Sequence, residues 1–431
     1  MNSAALSEWR VLCPADRLAY LSGQYPSFVE PQLVAWSIRG TVSWESLLRA
    51  VEPHRLLPRV CALLRDPRCA PVVRHASARA LLEARWRGEQ ARQLADRSEF
   101  EQCASRLNRV GIEPMVLKGG ALLETVYRDT PWRAFSDYDV LVRPGQFRSA
   151  AEALTASGFQ PVAPEPHVPS RWHQRRLGNL ADRNAITWSN SRLCLDLHVE
   201  AFDSRANAFT LPAGWLWEGA LPHWIGRARV WLPHPERLFT HLLLHLMKHR
   251  IRGKKTAFAW YVDLHDTLLF HRKQVIGQWC ARVVVENPER LQLQSVIAFV
   301  REHWSEDLPP ALERIVVMAS APGLRQVFGA TVLGADAREP IFLEYWRRMR
   351  GFRDRAWFVI RWTIPSRRYL RAQYGGGSML GILVAYLRHI LAMVRKGIAL
   401  AVLLLCGFAH RRLVNRCRMW NNELHEDPSD R

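Results

Sequence analysis

The sequence is short of acid. Its 431 residues carry 60 Lys and Arg against 40 Asp and Glu, a formal charge of +20. A balance this basic favours polyanions: nucleic acid, anionic lipid or phosphorylated ligands. Paired cysteines are missing as well. None of the eight Cys, at 13, 61, 69, 103, 194, 280, 406 and 417, forms a C-x-x-C pair. That spacing fits neither a zinc site nor a small disulfide scaffold, and it reads as free thiols in a reducing cytoplasm. The start, MNSAALSEWRVLCPADRLAYL, has no basic opening followed by an apolar run, so a signal peptide is not expected. The stretch Ile398–Ala409 has twelve residues without a charge, whereas a spanning helix needs about 20. Basic residues flank it (Arg395, Lys396, Arg411, Arg412), which suits an interfacial helix or one packed on the protein's own core. His241, His245 and His249 recur on one helical face, but no H-E-x-x-H accompanies them, so they read as packing residues. No internal repeat is present.

What the chain does have is apolar substance. Hydrophobic residues make up 48%, including 18 Trp, enough to bury real cores. Residues 1–105 read as helical, with a capped start at Ser43 and a long Ala-, Arg-, Glu- and Leu-rich stretch from Ala76 to Leu107. The texture changes at Gly111. Residues 106–205 alternate strands and helices: Pro114–Leu117, a helix over Ala121–Tyr127, Phe135–Val142, a helix over Gln146–Ser157, then strands at Ala185–Trp188 and Leu193–Val199 joined by a turn at Ser189-Asn190-Ser191. Residues 206–330 read as helical again, over Pro235–Arg250, Phe258–Phe270 and Gln274–Val285. Residues 331–431 form a basic, aromatic and apolar region. Arg347 to Arg418 alone holds sixteen Lys and Arg against one acid, Asp354. The expected fold is α+β, a small mixed sheet flanked by N- and C-terminal helical domains.

The chemistry concentrates in the mixed block. Asp137 and Asp139 flank Tyr138 in an apolar strand, where residues i and i+2 share a face. Two carboxylates at that spacing repel unless a cation lies between them. Mg²⁺ binds in this way, through one or two carboxylates plus substrate phosphates. Upstream, Lys118-Gly119-Gly120 ends the first strand and opens a helix. Glycine lets backbone amides approach phosphate, the helix start adds a favourable dipole, and Lys118 adds a point charge. Asp196, in a third apolar strand, supplies a third carboxylate, as metal ligand or as base. His198 shares its face and either orients that carboxylate or sits as a hydrogen-bonded core residue. Lys118 and Arg133 either contact phosphate or form salt bridges to the carboxylates.

The ordered set resembles the DNA polymerase β-like nucleotidyltransferase superfamily. VLKGGALLETVYRDTPWRAFSDYDVLV is more closely similar to the bacterial family of uncharacterised nucleotidyltransferases, through Lys118, Gly119, Tyr127, Arg133, Asp137 and Asp139. LCLDLHVE looks like that family's D-L-H strand, here Asp196 to His198, and LFTHLLLHLMKHR with WYVDLHDTLL like its helical half, around His245 and Asp263. The likeness spans roughly Ser43 to Val285. It departs from the wider superfamily at Gly120, where that group has serine.

The resemblance implies transfer of a nucleoside monophosphate from a nucleoside triphosphate to an acceptor, with release of pyrophosphate. Two Mg²⁺ ions, or Mn²⁺, would sit on Asp137, Asp139 and Asp196, the catalytic set. Lys118, Gly119, Gly120 and Arg133 would hold the triphosphate. Relatives often lie beside peptide natural-product or polysaccharide genes, which implies a peptide or sugar acceptor. Two rival readings use the same residues. One is kinase-like phosphoryl transfer. The other is a non-catalytic protein that binds membrane or nucleic acid through residues 346–418. The expected location is cytoplasmic, with peripheral attachment at the inner face of the membrane as an open alternative.

Overall fold

The computed structural model describes residues 3–162, 185–198 and 211–328, apart from short gaps, together with Val384, Tyr386 and Leu387. The C-terminal basic region read as a partner surface, residues 346–418, and the apolar stretch at 398–409 otherwise lie outside the described residues. Met1–Val162 and Asp182–Glu339 form one compact unit. Ala163–Ala181 and Pro340–Arg431 form a second, of which only those three helical residues are described. Among the described residues no helix is long and apolar enough to cross a membrane.

The fold is mixed, as the sequence implies. Its first part is helical: α1 (Ser3–Arg10), α2 (Pro14–Gln24), α3 (Pro31–Ile38), α4 (Trp44–Val51), α5 (Leu57–Arg65) and α6 (Ala76–Arg109). Ser43 caps α4 by accepting from the Ser46 amide at 3.2 Å. Then come β1 (Met115–Leu117), α7 (Lys118–Glu124), β2 (Tyr138–Leu141), α8 (Phe147–Ala156), β3 (Gln160–Pro161), β4 (Ala185–Ser189) and β5 (Cys194–His198). A hairpin follows, β6 (Leu221–Ile225) and β7 (Ala228–Leu232). The helices α9 (Pro235–Ile251), α10 (Ala259–Phe270), α11 (Gln278–Val285), α12 (Arg290–Trp304) and α13 (Pro310–Val316) complete the unit.

The strands among the described residues join one seven-stranded sheet in the order β3-β4-β5-β2-β1-β7-β6. At its centre β2 pairs antiparallel with β1 and parallel with β5. The β6–β7 hairpin falls in the stretch read as helical, yet it adds to the sheet through a parallel pairing of β7 with β1. Its turn is the two residues Gly226-Arg227, and Gly226 has φ +58°, the conformation a tight hairpin demands at that place.

Helix α6 spans 34 residues, about 50 Å at the usual rise, and it anchors both hairpin turns. Glu99 accepts from the Asn190 side chain at 2.7 Å, and Glu101 accepts from the Arg227 amide at 2.9 Å. Phe100, between them, stacks on Tyr138 of β2 with ring centroids 3.9 Å apart. Strand alternation therefore seats Tyr138 in the core against α6 and turns Asp139 to the opposite face.

The helical part buries several rings that are neutral in the fold. In α12, burial pushes the His303 ring down to about 4, and its Nδ1 lies 3.1 Å from the Tyr20 hydroxyl. His241, His245 and His271 are depressed in the same direction, burial being the largest cause for each. An unfolded His titrates near 6.5, so between about 4 and 6.5 the unfolded chain binds more protons than the folded one. Stability is therefore complete above that window and falls as pH drops through it. The His303 share is on the order of 3 kcal/mol. His303→Gln is expected to flatten part of this slope in urea unfolding followed from pH 7 to 4, and an unchanged slope would refute the assignment.

Candidate active site

The carboxylates meet where β1, β2 and β5 run side by side. Asp139 of β2 is the register partner of Asp196 on β5 and of Leu117 on β1. Pairing fixes their spacing through the backbone, before any side chain chooses a rotamer. Asp139 is buried and Asp196 half-buried. Lys118 Nζ donates to Asp139 Oδ1 at 2.6 Å, and His198 Nε2 lies 2.8 Å from the same oxygen. Burial alone would raise the Asp139 carboxyl, but Lys118 and His198 hold it well below the usual carboxylate range. On β4, the register partner of Asp196 is Thr187, whose hydroxyl donates to Asp196 at 2.6 Å.

Asp137 stands just before β2, half-buried, and accepts from the neighbouring Ser136 hydroxyl. Burial, and after it the Asp139 carboxylate, push its carboxyl upward. A divalent cation relieves that kind of stress between like charges. Asp139, Asp196 and His198 also bring one ligand atom each within 4.8 Å of one another. These residues fit a metal. The oxygen ligands suit Mg²⁺ or Mn²⁺, while the imidazole bonded to Asp139 is better placed to orient that carboxylate than to coordinate.

The glycine turn lies above β1. Lys118, the first residue of α7, has φ +46°, a left-handed conformation rare outside glycine. Both glycines after it are close-packed. A Cβ on Gly120 would meet Val116 Cγ1 at 2.6 Å, and one on Gly119 would run into Arg133 Nη1. Because α7 has only seven residues, its dipole is slight, and what the turn offers phosphate is Lys118 and backbone amides. Arg133 is directed elsewhere. It is buried, with Nε and Nη2 on the Asp263 carboxylate at 3.0–3.1 Å.

This arrangement of strand, lysine-glycine turn and register-paired carboxylates agrees with a match of the chain, over residues 40–304, to the family of uncharacterised nucleotidyltransferases. The match covers more than half of the 431 residues.

The chain belongs to that family.

No curated protein matches it. The nucleotidyltransferase match takes in all of β1 to β7 and the helices from α4 to α12, so the helices packed around the sheet belong to the family's unit as well.

Among the sequence-read residues, the structure brings together Lys118, Asp139, Asp196 and His198, with Asp137 at the entrance to β2. The α9 histidines do not gather as a set of three: the His245 and His249 rings lie 4.7 Å apart, and His241 is placed elsewhere. His241 packs by Trp215, and His245 and His249 lie edge-on to Trp260 of α10. Sequence reasoning missed Thr187, which steadies Asp196 from β4. The strand pairing alone reveals it, since nothing local distinguishes that threonine.

Proposed function

We propose that the protein transfers a nucleoside monophosphate from a nucleoside triphosphate to an acceptor, releasing pyrophosphate. The observation that carries this reading is the register pairing of Asp139 with Asp196, beside a lysine-glycine turn that reaches back to Asp139. In the transfer the acceptor oxygen bonds to the α-phosphorus, and the bond to the bridging oxygen breaks. Asp196 is placed to receive the acceptor's proton. Asp137, Asp139 and Asp196 would hold Mg²⁺ or Mn²⁺, which would supply charge neutralisation for the phosphates. The chain's own residues do the rest. His198 and Lys118 fix the orientation of Asp139, Thr187 fixes Asp196, and the turn positions the triphosphate, so catalysis is mainly placement and charge.

The test is release of pyrophosphate from each of the four nucleoside triphosphates, with Mg²⁺ and a cell lysate as acceptor source, by wild type and by Asp137→Ala/Asp139→Ala. Mg²⁺-dependent pyrophosphate from wild type alone supports the reading, and the responding triphosphate names the base. Release of inorganic phosphate without pyrophosphate would replace it with phosphoryl transfer.

Lys118 makes a second expectation available. Its ammonium and a divalent cation compete for the same carboxylate oxygen of Asp139. Lys118→Ala is therefore expected to tighten Mn²⁺ binding in the absence of nucleotide, on the order of tenfold for a charge-assisted bond. It should weaken binding of a non-hydrolysable triphosphate analogue. Mn²⁺ titration followed by electron paramagnetic resonance checks the first. Weaker Mn²⁺ binding in the variant would show that Lys118 supports the cation rather than standing in for it.

A further inference from the structure

Arg133 is too well buried and too fully bonded to serve as a mobile phosphate ligand. Its guanidinium forms a fork on Asp263 of α10, and its remaining Nη1 donates to the Ala134 carbonyl at 3.3 Å. The same Nη1 lies where a Gly119 side chain would begin. Asp263 does not act alone. The Tyr127 hydroxyl bonds it at 3.1 Å and Asp266 at 2.8 Å, and Asp266 is paired with Arg59 of α5. Arg59 in turn donates to the Tyr25 carbonyl at the end of α2. A chain of buried ionic contacts thus runs from the N-terminal helices, through α10, to the underside of the glycine turn.

A buried network of this kind adds little stability over apolar packing of the same volume. It does fix geometry, because a guanidinium fork admits one plane and one register on its carboxylate. That plane is set beneath Gly119, the first of the turn's two glycines and the one whose missing side chain leaves room for the guanidinium. We infer that Arg133 is a positioning residue: clamped by Asp263, its guanidinium is the floor on which the Gly119 peptide rests, and it holds Lys118 and the following amides in place for the triphosphate. The role at the triphosphate rests on the proposed nucleotidyl transfer, whereas the bracing of the turn does not.

The experiment separates the two. Hydrogen exchange is followed in the peptide over residues 115–124 of wild type, Arg133→Lys and Gly119→Ala. Binding of Mg²⁺ with the α,β-methylene analogues of the four nucleoside triphosphates is measured alongside, and so is Mn²⁺ affinity. Lysine keeps the charge and loses the fork, and Gly119→Ala drives a methyl into the guanidinium. Each variant is expected to speed exchange at the turn and weaken analogue binding by about tenfold, with exchange in α12 unchanged and Mn²⁺ held no more weakly than in wild type, since a loosened Lys118 competes less for Asp139. The double variant should lose little more than either single one, because both act on the same contact. Unchanged exchange at the turn in Arg133→Lys, or losses that add in full, would overturn the inference. Should Arg133→Lys unfold, Gly119→Ala decides on the same readings. If wild type binds none of the four analogues, the nucleotide reading falls, and the exchange data still decide whether Arg133 braces the turn.

Discussion

Asp139→Asn is expected to cut Mg²⁺-dependent pyrophosphate release by on the order of a thousandfold or more. Asparagine keeps the shape and removes the charge. Three features make Asp139 the most sensitive of the carboxylates. It lies between Leu117 and Asp196 in the register of the central strands. It is buried, so water replaces its charge poorly. Its orientation is set by Lys118 and His198 on one oxygen. Asp137→Asn and Asp196→Asn should follow with large but smaller losses, because both groups are partly exposed to water. The loss should come with a native circular dichroism spectrum, since the amide oxygen of the substituted side chain would still accept from Lys118 and His198. A rate for Asp139→Asn within tenfold of wild type would remove the carboxylate pair from the chemistry and turn attention to the fold as a binding scaffold.

The largest expected effect on stability belongs to Asp263→Ala. It leaves the Arg133 guanidinium buried with no carboxylate, and it strips the Tyr127 hydroxyl of one partner. Breaking a buried pair from one side costs about 3–5 kcal/mol, visible as a lower urea midpoint. Replacing both partners together, Asp263→Leu with Arg133→Met, should recover most of that loss, because no charge is then stranded. The comparison is the informative part. A single variant as stable as the double one would mean that Arg133 finds another acceptor, and the buried network would not be the closed system its distances describe.

Much of the site was legible because it is written in short-range patterns. K-G-G after an apolar strand, D-Y-D inside one and D-L-H inside another each announce themselves within a few residues. Even so, the i, i+2 argument for Asp137 and Asp139 needed correction in detail, since β2 begins at Tyr138 and only Asp139 lies within it. The long helix, the Ser43 cap and the helices after Pro235 were likewise readable from periodicity. What escaped depends on pairing across long separations. Arg133 and Asp263 are 130 positions apart, and nothing near either one tells a phosphate ligand from a buried ion pair. The β6–β7 hairpin is a different kind of miss. Its Gly226-Arg227 turn was a usable signal, but β6 lacks the alternation that marks a strand, since Leu221 and Trp224 are both exposed.

That hairpin decides where the chain can be cut. The Trp231 amide donates to the Pro114 carbonyl at 2.9 Å, and β7 lies along the edge of β1 that β2 leaves open. A fragment ending at residue 205, though it keeps every carboxylate of the site, would expose that edge as a row of bare amides and carbonyls next to Met115, Val116 and Leu117. Such an edge is an invitation to pair with another chain. A soluble piece bearing the site must therefore reach past Leu232 to cover that edge, and on past Asp263 to leave Arg133 paired; pieces that end before Leu232 should be recovered as aggregates.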